Sequence, residues 1–266
     1  MKTTEQIAGP LRLAKKYMAD GIFNHLVAIL EKDWPSSFEE RDHLHEILAR
    51  RANEEYMRRT GGVLGNGGWD YAAFYPDPAP VVSLARELQL PQVYPYAMYE
   101  LARWYPTGLL YGWDLNVYLR PDQDMLSRAD LKCLLEGSEV FRDVLASALD
   151  SLKKTHWSCV STSKLVDKKT CAASAVAWMR HTLNGVTGDI KFPAIRDPLQ
   201  RLRQMEKDVQ GATVPLRTKG KPPATAEEVR EGRVCPQCCE KMKQAIVKAR
   251  EKVWGEVPVM FAMPNA

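Results

Sequence analysis

Four cysteines in two distant pairs constrain the fold of this chain more than any other feature of its sequence. They are Cys159, Cys171, Cys235 and Cys238. The second pair forms a Cys-x-x-Cys turn, which supplies two soft thiolate ligands, and zinc takes four such ligands in a tetrahedron. We therefore predict that the four cysteines hold one structural zinc ion. The ion would fasten the C-terminal segment to the rest of the fold.

Other ligand sets and a metal-free cluster stay open. Eleven residues separate Cys159 from Cys171, which is not the spacing of a standard zinc finger. His156 or Cys239 is therefore an alternative ligand. In the simplest alternative, the thiols bind no metal and are free and partly buried.

A redox role for the second pair is a further alternative. A Cys-Pro-x-Cys sequence at a helix start lowers a thiol pKa, and glutaredoxins use it. The βαβ pattern that such a fold needs is missing here. The Thr213-Val214-Pro215 element precedes Cys235 and Cys238, whereas that fold has it after the cysteines.

Apolar residues recur at helical spacing along most of the chain, and no strand alternation is visible. This pattern predicts a mostly all-α fold, an irregular helical bundle with a Gly/Pro-rich loop and a cysteine-containing C-terminal segment. The loop covers residues 61–80, and Pro and Gly also make 211–224 a flexible linker. Ser127 and Asp130 form a capping box that starts a long helix. The predicted helices cover 8–17, 22–30, 36–59, 81–89, 92–105, 127–152, 172–182, 198–209 and 240–253.

The helix over 36–59 mixes glutamates and arginines, as a solvent-exposed helix with surface ion pairs does. His43 and His45 are two residues apart and face different directions on a helix, so we expect solvated side chains, not a metal pair.

Aromatic side chains cluster in the Gly/Pro-rich loop. Trp and Tyr dominate the hot spots of protein interfaces. An exposed cluster would therefore anchor a partner protein, while packing of the loop against the core is the alternative. The predicted partner-binding residues are Trp69, Tyr71, Phe74 and Tyr75.

Charge and hydropathy narrow the class of protein. A net charge of +4 is too small to favour nucleic-acid binding, which usually needs a clustered basic face. No apolar run approaches the roughly 20 residues of a membrane span, and the first residues have no signal-peptide pattern. Six cysteines without a secretory signal indicate reduced thiols or metal ligands. We expect a cytoplasmic or nuclear protein with no membrane association.

Several segments together resemble the fungal (mushroom-type) BTB/POZ-domain proteins, from the last BTB helices onward. The segments are Leu11-Arg12-Leu13-Ala14-Lys15-Lys16-Tyr17, Leu30-Glu31-Lys32-Asp33-Trp34-Pro35, 81–88, 95–102, the 130–152 helix, the Cys159/Cys171 loop and 235–264 with Trp254 and Phe261-Ala262-Met263-Pro264. The resemblance implies a remnant of BTB helices in 1–34, a helical body in 35–155, and a cysteine-bearing region in 156–266. The β-rich half that begins a BTB domain has no counterpart here.

The resemblance implies a non-enzymatic protein–protein interaction module, an adaptor or scaffold of BTB type. Its partners would be other proteins. They would include a cullin-type ubiquitin ligase, or a second copy of the chain, if a BTB core lies upstream. A zinc-stabilised regulatory protein that contacts nucleic acid is the alternative, and a thiol redox protein that uses Cys235 and Cys238 is a second one.

Overall fold

The computed structural model describes residues 3–61, 76–110, 123–155, 157–161, 167–188, 198–209 and 234–264. All regular structure in these ranges is helical, which confirms the predicted all-α fold class. The α-helices in these ranges are α1 (Thr3–Lys16), α2 (Asp20–Asp33), α3 (Phe38–Thr60), α4 (Pro78–Leu88), α5 (Tyr94–Leu110), α6 (Arg128–Lys154), α7 (Lys168–Gly188), α8 (Pro198–Asp208) and α9 (Pro236–Met260).

Side-chain caps fix where two of these helices begin. The Oγ of Ser37 accepts a hydrogen bond from the backbone N–H of Glu40 at 3.1 Å, so α3 starts at the predicted serine signal. Asp77 caps α4 in the same way, through the N–H of Ala79 at 2.9 Å. Pro78 opens α4, where the N–H that proline lacks would have no helical partner.

The capping box at the start of α6 also joins three helices. The N–H of Asp130 donates to Ser127 Oγ at 3.1 Å, and the N–H of Ser127 donates to Asp130 Oδ2 at 2.8 Å, as predicted. The hydroxyl of Tyr94 on α5 donates to Asp130 Oδ1 at 2.9 Å. Arg86 on α4 places its Nε 3.0 Å from Asp130 Oδ2. A fully buried carboxylate thus holds α4, α5 and α6 together.

The turn between α1 and α2 places a methionine in a glycine conformation. The N–H of Ala19 donates to Ala14 O at 2.8 Å and the N–H of Met18 donates to Lys15 O at 3.2 Å, which is the Schellman arrangement. Met18 has a φ of +53° and is 82% exposed. The break between the helices therefore lies just before Asp20, which already opens α2, two residues before the predicted helix start at residue 22.

The chain divides into two compact units. Unit 1 comprises Met1–Phe141 and Glu256–Ala266, and unit 2 comprises Arg142–Gly255. Helices α6 and α9 each contribute residues to both units. The segments 1–34, 35–155 and 156–266, inferred from the family resemblance, stay a prediction.

In unit 1, the hairpin of α4 and α5 buries an apolar side whose residues recur at helical spacing. These buried residues include Leu84, Leu88, Val93, Ala97 and Leu101. Near the chain end, Phe261 is fully buried against Gly137 of α6. Helical spacing alone overestimated the apolar face of α6, where Leu135 and Val140 are 58% and 47% exposed.

A buried ion cluster in unit 1 corrects the exposed interpretation of α3. Arg41 and His45 are buried and lie 3.3 Å and 3.6 Å from Glu100 Oε1 on α5, and Arg103 pairs with the same carboxylate. Burial raises the pKa of Glu100, but the charges of Arg103 and Arg41 outweigh it and lower the pKa to about 2. The predicted surface pairs occur farther along α3, where Arg50 pairs with Glu54 and Arg58 pairs with Glu55. The exposed interpretation is wrong at Arg41 and His45, because sequence spacing does not show which side of α3 faces α5.

Unit 2 buries a second ion pair. Arg250 of α9 donates from Nε to the carbonyl oxygen of Leu199 at 3.2 Å and from Nη1 to Glu206 Oε2 at 2.9 Å. Arg250 is 1% exposed, and its two bonds hold α8 against α9.

Some sequence predictions lie outside the described residues. They are the aromatic set Trp69, Tyr71, Phe74 and Tyr75, the linker 211–224, and the alternative ligand His156. Across the part of the chain that the structure describes, none of the helices has the length and apolarity to span a membrane.

Candidate metal centre

Three separate pieces of unit 2 bring the predicted cysteines together. Cys159 lies in the non-helical segment 157–161, and Cys171 lies in the first turn of α7. Cys235 immediately precedes α9, and Cys238 lies in its first turn. The four Sγ atoms all lie within 4.8 Å of one another. The four-cysteine cluster is thus one site, although 64 residues separate Cys171 from Cys235.

The sulfur spacing fits a tetrahedral metal better than a disulfide. A Zn–S bond of about 2.3 Å places the sulfurs of a tetrahedron about 3.8 Å apart. The Sγ atoms of Cys159 and Cys235 are 3.8 Å apart. A disulfide would need about 2.05 Å, and all six cysteines of the chain are free.

Helix α7 begins earlier than the predicted helix over 172–182, and it therefore includes Cys171. The sequence predicts a loop through Thr170, but α7 begins at Lys168. Asp167 is the reason, because its Oδ1 accepts a hydrogen bond from the N–H of Lys169 at 3.1 Å and its Oδ2 accepts one from the Thr170 hydroxyl. An Asp followed by a helix-forming run is a cap signal that the sequence already contains. It puts Cys171 on a helix, with its sulfur fixed by the first turn.

Backbone N–H groups point at the sulfurs. The N–H of Cys235 donates to Cys171 Sγ at 3.3 Å. Backbone hydrogen bonds from Cys238 and Val160 likewise favour the ionised sulfurs of Cys235 and Cys238, although burial outweighs this effect at Cys238. The N-termini of α7 and α9 add partial positive charge near the same atoms. These donors favour thiolates, the form in which cysteine binds metal.

The thiols differ in their proton affinity when no metal is bound. Burial raises the pKa of Cys171 strongly and gives Cys238 a raised pKa as well. Burial also opposes ionisation of Cys235, but the N–H of Cys238 and the neighbouring thiols donate to its sulfur and bring its pKa below the ordinary value.

Trp157 and Lys241 hold the segment that carries Cys159. Trp157 is buried, and the Lys241 ammonium of α9 lies 5.9 Å from the centroid of its ring. This cation–π contact joins the segment that carries Cys159 to α9.

The other two cysteines do not belong to the cluster. Cys239 directs its thiol to the carbonyl oxygen of Val234 at 3.7 Å, and it is not among the four sulfurs that lie together. Cys133 lies in unit 1, where its thiol faces Ala262 O at 3.5 Å. The geometry therefore argues against the alternative in which Cys239 is a metal ligand.

Comparisons with models of known protein families, with curated proteins and with solved structures find no match for this chain.

Proposed function

We propose that this chain is a non-enzymatic protein–protein interaction module whose C-terminal region is held together by one structural zinc ion. The observation that carries the proposal is the set of four sulfurs within 4.8 Å, contributed by three separate segments. Zinc adds folding free energy in such sites because the unfolded chain does not preform them.

The donor set favours zinc in a closed structural site. Four sulfurs, with no oxygen or nitrogen ligand among the residues that the structure describes, suit Zn²⁺ or iron, and three of the four cysteines are buried. Catalytic zinc sites have three protein ligands and keep one position open for water, whereas four protein ligands close the site. In the proposal, the ion joins segment 157–161, α7 and α9.

Cobalt binding tests the zinc site. Co²⁺ added to the reduced, metal-free protein should produce the intense visible absorption of a tetrahedral thiolate complex, and zinc should displace it. Cys238→Ser should change or abolish this spectrum because it removes a ligand. Cys239→Ser is the matched control, one residue away and outside the cluster, and should keep it. Absence of the spectrum in the unaltered chain would contradict the proposed site.

The interaction role rests on the resemblance to BTB-domain proteins and on an exposed apolar corner in unit 1. The corner lies where α1 meets α2, and its side chains are more than half exposed. They are Leu13, Tyr17, Met18 and Ile22. A cluster of large exposed apolar side chains is typical of a protein contact surface. This apolar corner supports an interaction role independently of the aromatic loop predicted from the sequence.

The proposed partners are other proteins, and they include a cullin-type ubiquitin ligase or a second copy of the chain if a BTB core lies upstream, as the resemblance implies. Light scattering would measure self-association, and a pull-down with a purified cullin would measure recruitment. Tyr17→Ser should weaken whichever association occurs. Met57→Ser on α3, at a residue that is 52% exposed, is the control. A chain that stays monomeric and does not bind the cullin would contradict this assignment of partners.

A thiol redox protein is a second candidate, favoured by the lowered pKa of Cys235 at the start of α9. In this proposal, metal-free protein reduces a disulfide substrate catalytically and Cys235→Ser abolishes the turnover. A chain with no reductase activity in its reduced, metal-free form would eliminate the candidate.

A further inference from the structure

Cys159 and Cys235 differ from the other two members of the four-cysteine cluster in their backbone. Both lie outside helices, whereas Cys171 and Cys238 lie in the first turns of α7 and α9. Cys159 is also half-buried, while the other three are buried. Its sulfur is therefore the one that a small molecule from solvent reaches most readily.

The distance between these two sulfurs is short enough for a bond to form with a small local change. The Sγ atoms are 3.8 Å apart, and a disulfide requires about 2.05 Å. Side-chain rotation and a small shift of segment 157–161 would close the remaining gap. A bond to Cys171 or Cys238 would instead have to move a sulfur that a helix holds in place.

We propose that the four-cysteine cluster is a peroxide-oxidation site at which Cys159 and Cys235 form a disulfide and zinc is released. The inference rests on the proposed zinc site and adds its regulation. It concerns one stoichiometric oxidation of the protein itself, not catalytic turnover of a disulfide substrate.

The reaction balances with a peroxide as the oxidant. The Cys159 thiolate attacks one peroxide oxygen, the O–O bond breaks, and hydroxide leaves, which gives a sulfenic acid on Cys159. The Cys235 thiolate then attacks the sulfenic sulfur, the S–S bond forms, and a second hydroxide leaves. For hydrogen peroxide, two electrons pass from the two sulfurs to the peroxide, and two protons convert both hydroxides to water.

The metal leaves because its ligand set is halved. Cys171 and Cys238 alone cannot complete a tetrahedron. The new disulfide still joins segment 157–161 to the start of α9, but no bond through the metal then holds Cys171. Oxidation would therefore release α7 from the clamp while the other two pieces stay linked.

The test uses the zinc-loaded chain of 266 residues treated with hydrogen peroxide. A chromophoric chelator in the solution reports zinc release, and tryptic mapping without reduction identifies the disulfide. Trypsin separates the cysteines into peptides 155–164, 170–180 and 234–241. The expected product links 155–164 to 234–241, with fragment ions at Pro236 assigning the bond to Cys235. Zinc release of about one equivalent should accompany it.

The control variant is Cys239→Ser, which removes the one non-ligand thiol from peptide 234–241 and should leave both readouts unchanged. A link between 170–180 and 234–241, a bond at Cys238, or over-oxidation without a link would overturn the inference. Zinc that stays bound in peroxide-treated protein would overturn it while leaving the zinc proposal intact. A reduced chain that takes up no zinc but still forms the Cys159–Cys235 bond would refute the zinc proposal and the zinc-release part of the inference, and would support the disulfide alone.

Discussion

A single methyl group at position 137 should destabilise unit 1. A Cβ added to Gly137 would lie 2.5 Å from Phe261 Cε1 and 2.8 Å from the carbonyl oxygen of Met260. Carbon atoms in good contact are about 3.5–4.0 Å apart, so both neighbours would have to move. Phe261 cannot simply turn into solvent, because it is fully buried. The backbone oxygen cannot rotate away at all.

The magnitude of Gly137→Ala follows from two opposing effects. Overpacking of this kind typically costs about 1–3 kcal/mol. Alanine in a helix interior is favoured over glycine by about 1 kcal/mol, which offsets part of that cost. We expect a net loss of about 1 kcal/mol, or a fall of roughly 2–4 °C in melting temperature for a chain of this size class. Thermal unfolding followed by circular dichroism would measure it.

Two further variants test whether the loss comes from the contact between Gly137 and Phe261. Gly255→Ala on α9 is the matched control, since no atom lies within 4 Å of its added Cβ, and it should stabilise by up to about 1 kcal/mol. In a Phe261→Ala background the ring is gone, so Gly137→Ala should become less harmful than in the unaltered chain. A Gly137→Ala variant that is stabilised as much as Gly255→Ala would refute the close packing of α6 on the chain end.

Three further predictions concern unit 1. The pKa of Glu100 is lowered from 4.5 to about 2, so its contribution to stability is present above pH 4.5 and is lost as the pH falls towards 2; Glu100→Gln should flatten the pH dependence of urea unfolding in that window. Asp130→Ala should cost about 2–4 kcal/mol in urea unfolding, because it removes the capping box of α6 and leaves the buried Tyr94 hydroxyl without its acceptor, and a loss below 1 kcal/mol would contradict this. Met18→Gly should stabilise by about 0.5–1 kcal/mol in the same assay, because glycine adopts a φ of +53° without strain; a destabilised variant would contradict the strain at this turn.

Much of the helical framework was predictable because its signals are local. Ser37 and the Ser127/Asp130 box cap α3 and α6 at the positions that their sequences indicate. The end of α9 was less predictable. The predicted helix over 240–253 stops before Gly255 and Pro258, but α9 continues through both residues to Met260. Pro258 lies in the last turn, where its missing N–H removes a single helical bond.

Long-range facts were harder to predict from the sequence. The proximity of Cys171 to Cys235 could be inferred, because a Cys-x-x-Cys turn supplies only two of the four ligands that zinc takes, and the other two must come from elsewhere in the chain. The burial of Arg41 and His45 around Glu100 was not, since it depends on how α3 packs against α5. The sequence also could not show that the Cys239 sulfur lies outside the cluster, because side chains that are neighbours in sequence point in different directions at a helix start.

The most direct test of the account is the metal content of the purified chain, measured by inductively coupled plasma mass spectrometry and paired with a chelator melt. We expect one zinc per chain. A site held at about 1,000 times its dissociation constant contributes about 4 kcal/mol, so a strong chelator should lower the melting temperature by about 10 °C. Protein that contains no zinc, does not take it up when reduced, and melts at the same temperature with and without chelator would contradict the structural zinc centre.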